Sequence, residues 1–365
     1  MKNKKFILFI PHLEPGGAER VTSQLLNYAV KSGYEAHVVL ISHNAIFYEL
    51  NESINVHRPS FYKGKKKFIY YFKTIFFVRS TLKNLNAESL FVMGYRIIPA
   101  LATIGLNIRL VGSFRTSPYR EWTPLNGNFM FNFIFSFLYH KINKIANKRY
   151  DGMIMQTKEA VDIKRKEYRS NCEFEVIPNF VRKIKKHKVQ KKNQIICVGR
   201  LSKEKGQIHL LEAFAKLQNA GWNLLLVGDG SEKTKLEMRA VELGIKDKVD
   251  LPGFHSEVDY YLQQSEIYVL PSLIEGFPNA LQEAMGNGLA CISFDCKTGP
   301  SELIINGENG ILIPLGDERR LTQELNRLIY NDELRAKLGN NAKSVKKDYN
   351  ISRLGKKYLQ FIFSS

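Results

Sequence analysis

Glu275 and Glu283 stand at the two ends of the stretch EGFPNALQE, directly after the apolar run IYVLPS. Paired carboxylates can accept hydrogen bonds from the hydroxyls of a ligand, act as a general acid and base, or sit as solvated acids near a helix N-terminus that the macrodipole favours. Pro278 suits a first helical turn and pushes the residue before it out of the α region, so a helix is expected to begin near Pro278. Glu275 then lies in a loop and Glu283 on the helix. The two acids do not share a helix face. If both act, they touch different parts of one extended ligand lying across the helix start.

Three glycine-bearing loops add anion chemistry. HLEPGGAER follows an apolar run and opens a helix, so Gly16 and Gly17 allow close backbone approach and offer N–H groups at a positive helix end. VGRLSKEKG supplies Arg200 and Lys205, where an anion could be clamped. VGDGSEK also ends an apolar run, but it is not a G-x-G-x-x-G fingerprint, and a dinucleotide dehydrogenase is poorly supported. Glycine after a strand is common turn chemistry, so each loop alone is weak evidence.

These residues need a scaffold, and the apolar periodicity supplies one. KFILFIP, AHVVLIS, SLFVMG, IRLVGSF, GMIMQT and FEVIPN read as strands, with helices from Ala18, in a long region before residue 88 and across 129–148. A second series follows: IICVGR, NLLLVGDG, VDLPG, EIYVLPS, ACISFD and GILIP, again alternating with helices, and a helical tail. Short strands alternating with helices imply βαβ units and parallel sheets. Between the two series VRKIKKHKVQKKNQ, residues 181–194, is polar and basic without apolar period and reads as a linker or exposed edge. The expectation is an α/β chain of two doubly wound domains, 1–180 and 195–345, with 346–365 a C-terminal helix that packs back on the first domain. An active site is expected between the carboxyl edges of the two sheets.

Composition excludes some classes. The 365 residues are 44% hydrophobic and 24% charged, an ordinary globular balance. Cys172, Cys197, Cys291 and Cys296 form no C-x-x-C pair, which argues against a zinc site or a disulfide framework and suits a reducing cytoplasm. The basic, apolar N-terminus meets Pro11 and Glu14 too soon for a signal peptide, and no run approaches the roughly 18 apolar residues of a membrane span. The formal net charge of +19 implies attraction to polyanions. Between Glu52 and Glu88 there is no acid, while Lys63, Lys65, Lys66, Lys67, Lys73 and Arg79 interleave with aromatics. That pattern suits an interfacial helix on an anionic membrane; a core helix with snorkelling lysines is the plainer alternative. A second apolar segment, Phe129 to Tyr139, is a lesser candidate.

The order of these pieces resembles glycosyltransferase family 4, the large retaining GT-B group, along nearly the whole chain. PGGAER, VIPNFV, VGRLSKEKG, LLLVGDG and LPGF carry the resemblance, and most specifically Glu275-x7-Glu283 with the following GPSELIINGENGILIP. It implies two Rossmann-like domains, the first binding the acceptor and the second a nucleotide-sugar. It implies that Glu283 takes the ribose, that Glu275 lies by the donor sugar, and that Arg200 and Lys205 hold the diphosphate. Gly16, Gly17, Gly276, Phe277, Pro278 and Asn279 are expected to complete the donor site. No Asp-x-Asp occurs, in keeping with a metal-independent mechanism without cofactor. Many relatives carry a histidine where this chain has Arg115; a subgroup acting on lipid-linked oligosaccharide and O-antigen has Ser and Arg with a nearby Pro, matched by Ser113, Arg115 and Pro118. Arg115 is thus a candidate for donor or acceptor phosphate, or a structural arginine.

The expected function is transfer of a hexose or N-acetylhexosamine from a nucleotide-sugar, with UDP favoured, to a polyprenyl-diphosphate-linked acceptor at the cytoplasmic membrane face, in surface polysaccharide synthesis. The alternatives are a glycosidase using Glu275 and Glu283, and a non-catalytic basic nucleic-acid-binding protein. The first leaves the anion features of Arg200, Lys205, Gly16 and Gly17 without a use; the second lacks a recognisable RNA or DNA motif, and the basic aromatic segment lies outside the expected cleft.

Overall fold

A computed structural model describes residues 4–62, 67–115, 118, 141–217 and 221–364. The chain forms two compact units, one from its start to Phe180 with the segment from Ile351 onward, the other Val181–Asn350. Among the described residues each unit is built on one parallel sheet.

In the first unit the strands are β1 (Lys5–Phe9), β2 (Glu35–Val39), β3 (Asn55–His57), β4 (Ser89–Met93), β5 (Arg109–Phe114), β6 (Gly152–Met155) and β7 (Glu173–Val176). Their spatial order is β3-β2-β1-β4-β5-β6-β7. Burial on both faces explains why KFILF, EAHVV and SLFVM read as near-continuous apolar runs rather than alternations. The short edge strand β3 is half exposed and had no such signal.

The helix Ile351–Ile362 packs on this unit. Its Tyr358 is fully buried, with its ring 5.9 Å from that of Phe91 and 6.3 Å from that of Phe180. A side chain at Gly355 would collide with the Tyr28 ring, so glycine here permits the close approach of this helix to Gly17–Lys31.

The second unit has β8 (Gln194–Val198), β9 (Asn223–Val227), β10 (Val249–Gly253), β11 (Ile267–Leu270), β12 (Ala290–Phe294) and β13 (Ile311–Ile313), in the order β10-β9-β8-β11-β12-β13. Helices bury apolar residues against both faces of the sheet; Leu210, Leu211, Leu321 and Leu325 belong to one core cluster, Leu281, Ala284 and Met285 to the other.

The basic stretch after Val181 is part of this unit by its contacts. The main-chain N–H groups of Lys185, His187 and Lys192 donate to Asp259, Gln263 and Gln264, so it runs along the helix Val258–Gln264 as a tethered edge segment. Its few apolar residues, Val181 and Ile184, pack by Gly286. Polar composition read as a linker because the segment's bonding is main-chain to side-chain, which leaves no apolar period.

In both sheets the strand order reverses once, between β1 and β4 in the first unit and between β8 and β11 in the second. Such switch points are where open α/β sheets hold ligands, outside the carboxyl ends of the strands.

Candidate active site

At the switch point of the second unit, the loops after β8 and β11 meet. Gly206 adopts φ +63°, and a Cβ there would lie 2.1 Å from the carbonyl oxygen of Pro271, so glycine is needed for the first loop to lie against the second. The Leu273 N–H donates to the Glu204 carbonyl at 2.9 Å, fixing the same approach. The consequence is an ion pair: Lys205 Nζ stands 2.7 Å from Glu275 Oε1, with Glu275 only 6% exposed. The Glu275 carbonyl in turn accepts from the Thr298 hydroxyl, which secures the loop to the segment after β12.

The following helix runs Asn279–Asn287, with Pro278 as its cap residue, one residue later than the proline alone suggests. Glu275 lies in the loop and Glu283 on the helix, as their spacing about Pro278 predicts. Glu283 is 5% exposed. Its Oε2 lies 3.0 Å from Arg182 Nε. Tyr268, on β11, is fully buried. Burial pushes its hydroxyl well above the ordinary value of 10, and the charges of Cys197, Glu275, Cys291 and Glu283 act in the same direction.

The other expected residues divide. Arg200 is exposed at the start of the Lys205 loop, with its carbonyl accepting from Gln207 Nε2 at 2.9 Å. Gly276 is half-buried in the Glu275 turn, and Asn279 opens the helix. Phe277 and Pro278 are buried, and Phe277 packs in the core with Tyr268 and Leu281. Its aromatic bulk anchors the turn.

In the first unit Gly17 opens the helix Gly17–Lys31. The anion expected at Gly16 meets competition: the Gly16 N–H donates to Tyr48 Oη at 2.9 Å, and the Glu19 carboxylate folds over the glycine, where a Cβ would touch it at 2.1 Å. The chain's own acid thus complements the positive helix end. Beside it, a cavity of about 420 Å³ opens at the carboxyl edge of β1, β2 and β4. His12, Glu14, Asn44, Tyr62 and Tyr95 line it, with Asn44 Nδ2 donating to Glu14 Oε1 at 2.7 Å and the Tyr62 ring stacked on His43 at 4.1 Å. Tyr95 holds φ +27°, a left-handed backbone that is uncommon for a bulky residue and is found at ligand sites more often than elsewhere.

Arg115 is held by three side chains of the protein itself. It donates to Ser113 Oγ at 2.9 Å, to Asn179 Oδ1, and to Tyr358 Oη at 2.6 Å, joining β5, the end of the first unit's main segment and the C-terminal helix. Arg79 Nη1 donates to the carbonyls of Ala102 at 2.9 Å and Ile104 at 2.6 Å. Lys73 stands over the Phe61 ring at 5.9 Å. Lys67 opens the helix Lys67–Asn84, while Lys63, Lys65, Lys66 and the segment Phe129 to Tyr139 lie outside the described residues. That helix buries Tyr70, Thr74, Val78 and Leu82 and exposes Ile69, Tyr71, Phe72 and Phe76. No helix among the described residues is long and apolar enough to cross a membrane. No group of three or more His, Cys, Asp or Glu among them could hold a metal.

Arg182, Asp259 and Asn287, which the sequence did not single out, surround Glu283. Arg182 makes a two-pronged bond to Asp259, through Nη1 to Oδ2 and through Nη2 to Oδ1 at 2.8 Å. Asn287 Nδ2 donates to Asp259 Oδ1 and to the Glu283 carbonyl, both at 3.0 Å. No local motif announces this cluster.

Comparison with known proteins settles the family. Residues 15–183 match the model described as Glycosyltransferase Family 4, and residues 180–345 that described as Glycosyl transferases group 1. A Haemophilus influenzae protein described as an uncharacterized glycosyltransferase is 30% identical over 361 residues, 96% of this chain and 98% of that protein. The chain belongs to glycosyltransferase family 4.

A second relative of this family 4 enzyme, from Campylobacter jejuni, is 28% identical over 98% of this chain and 99% of its own. Its name is N-acetylgalactosamine-N,N'-diacetylbacillosaminyl-diphospho-undecaprenol 4-alpha-N-acetylgalactosaminyltransferase. Among solved structures, Anabaena HepE in complex with UDP and glucose superposes with a TM-score of 0.78 at 17% identity, covering 100% of both chains. The glycosyltransferase therefore has the GT-B fold, two Rossmann-like α/β domains, as its motifs led one to expect. As for the glycosidase alternative, such a pair needs one carboxyl to donate a proton to the leaving oxygen. Here each carboxylate is ion-paired with its own cation.

Proposed function

We propose that this glycosyltransferase moves a hexose or N-acetylhexosamine from a UDP-sugar to a polyprenyl-diphosphate-linked glycan, with retention at the anomeric carbon and without a metal, in bacterial surface polysaccharide synthesis. The observation that carries the reading is the pairing of Lys205 with Glu275 at the switch point of the second unit, with the Arg182-bound Glu283 on the adjoining helix. In this reading Glu283 accepts from the ribose hydroxyls and Glu275 from those of the donor sugar. Lys205 is thereby held where the sugar meets the diphosphate.

As the anomeric carbon parts from its leaving group, negative charge builds on the diphosphate. Lys205, the exposed Arg200 and the N–H groups opening the helix at Asn279 stabilise that charge, a role that a divalent ion fills in other transferases. Gly276 keeps the turn open for the donor. The first unit takes the acceptor. Its Tyr- and Glu14-lined cavity has the stacking surfaces and acceptor oxygens that a sugar ring requires. The name of the Campylobacter relative and the UDP in HepE support this choice of substrates.

We assign the exposed Ile69, Tyr71, Phe72 and Phe76, with Lys67, Lys73 and the lysines before them, to an anionic membrane surface on which the enzyme lies peripherally at the cytoplasmic face.

The test is incubation of the purified enzyme with a panel of UDP-sugars and an undecaprenyl-diphosphate-linked saccharide, in EDTA and in Mg²⁺. Transfer in EDTA with the donor's anomeric configuration kept in the product, read by NMR, is the expected result. Inverted product or activity abolished by EDTA refutes the mechanism. Release of free sugar from a simple glycoside, without transfer, refutes the reading as a whole.

A further inference from the structure

Glu283 is nearly buried, and a buried carboxylate that is to receive ligand hydroxyls must be correctly turned. Arg182 Nε stands 3.0 Å from Glu283 Oε2. Arg182 is itself held by the two-pronged bond to Asp259, whose side chain is 2% exposed. Asp259 also accepts from the Lys185 main-chain N–H at 2.8 Å and from Asn287 Nδ2, which bridges back to the Glu283 carbonyl. Each bond fixes the next. Asp259 presents the guanidinium fork, and the remaining Nε edge meets Glu283 from one side. A planar guanidinium can bind two carboxylates along two edges at once, whereas an ammonium has no such fixed fork.

We propose that Arg182 is the positioning residue of the donor site: anchored by Asp259, it sets the plane of the Glu283 carboxylate that receives the ribose of the donor nucleotide. The inference rests on the donor reading of Glu283 given above, and it assigns Arg182 no contact with substrate. Arg182 stands two residues beyond the point where the chain leaves the first unit, in a segment pinned by the Val181 N–H to the Tyr349 carbonyl at 2.8 Å. The donor site thus draws its orientation from a residue outside the loops that follow the second unit's strands.

The experiment uses the full chain and titrates UDP, GDP and ADP by calorimetry to find the nucleotide the parent enzyme binds. The affinity for that nucleotide is then measured for E283Q, R182Q, R182K, D259N and the double variant R182Q/E283Q, with a thermal midpoint for each. E283Q should bind at least tenfold more weakly. R182Q should approach the same loss, R182K should lose less, and D259N about threefold. The double variant should be no weaker than E283Q, because Arg182 acts through Glu283.

If no nucleotide binds, or E283Q binds like the parent, the donor reading itself fails. Where E283Q is weakened but folded R182Q or R182K binds like the parent, or the losses in the double variant add, the positioning role fails and Arg182 serves only the fold or touches the donor itself. Should R182Q not fold, R182K and D259N carry the comparison: parental affinity in both overturns the role.

Discussion

Lys205 bonded to Glu275 at 2.7 Å places an ammonium and a carboxylate on the same small volume, and the two should fail differently. Lys205→Ala is expected to lower turnover by about 10²-fold, the loss typical when one preorganised donor to a developing oxyanion is removed. Steady-state nucleotide release measures this, and Mg²⁺ should not restore it. Arg115→Ala belongs to stability instead. Its donors go to Ser113, Asn179 and Tyr358, so removing it strands buried acceptors at a cost of about 3 kcal/mol. Chemical denaturation should show that loss; an unchanged midpoint with lost activity would return Arg115 to the substrate. At this scale the acids were legible because a proline beside them fixes the local backbone. Arg182 was not, since its partner Asp259 lies 77 residues away and nothing in VRKIKK distinguishes a buried guanidinium from its solvated neighbours.

The elements were legible wherever burial on both sheet faces wrote a continuous apolar run. They were obscure at the edges, where β3 is half exposed and where residues 181–192 bond through their main chain. That edge also carries a pH dependence. His37 Nδ1 lies 3.0 Å from His57 Nε2 across β2 and β3, and His37 Nε2 lies 3.1 Å from Glu35. Burial lowers both imidazoles below their ordinary value of 6.5; Lys5 and His37's own charge add to this, and Glu35 opposes it at His37. The folded state then binds fewer protons than the unfolded chain just below pH 6.5, so stability falls as pH drops through that value towards the lowered ones. Thermal midpoints between pH 7.5 and 5.5 should decline, and His57→Gln should flatten the decline. The exposed side of the helix Lys67–Asn84 bears on location. Phe72 and Phe76, with rings 4.8 Å apart, are each more than half exposed. Replacing both with Asp should reduce co-sedimentation with phosphatidylglycerol vesicles several-fold while leaving nucleotide binding unchanged; full retention would mean that another surface makes the contact.

For the molecule as a whole, the two units differ in how the chain supplies them. Val181–Asn350 is continuous and holds its own core, so as an isolated fragment it should unfold cooperatively by circular dichroism. A chain cut before Ile351 should lose most of the first unit's resistance to protease, because Tyr358 and Gly355 no longer cover Phe91, Phe180 and Tyr28. The family and the two-sheet architecture were readable from motif order along the chain, whereas the contacts through Tyr358 and Gly355 by which residues 351–364 join the first unit were not.

The position of Tyr358 also sets an order of events on the ribosome. The helix that covers part of the first unit's sheet is made some 170 residues after the segment that ends at Phe180. The second unit can close while the first still exposes Phe91 and Phe180 to solvent. Synthesis from N- to C-terminus is thus followed by maturation in the opposite sense, and for the time needed to translate some 170 intervening residues the nascent first unit is a natural client for chaperones that bind exposed aromatic surface.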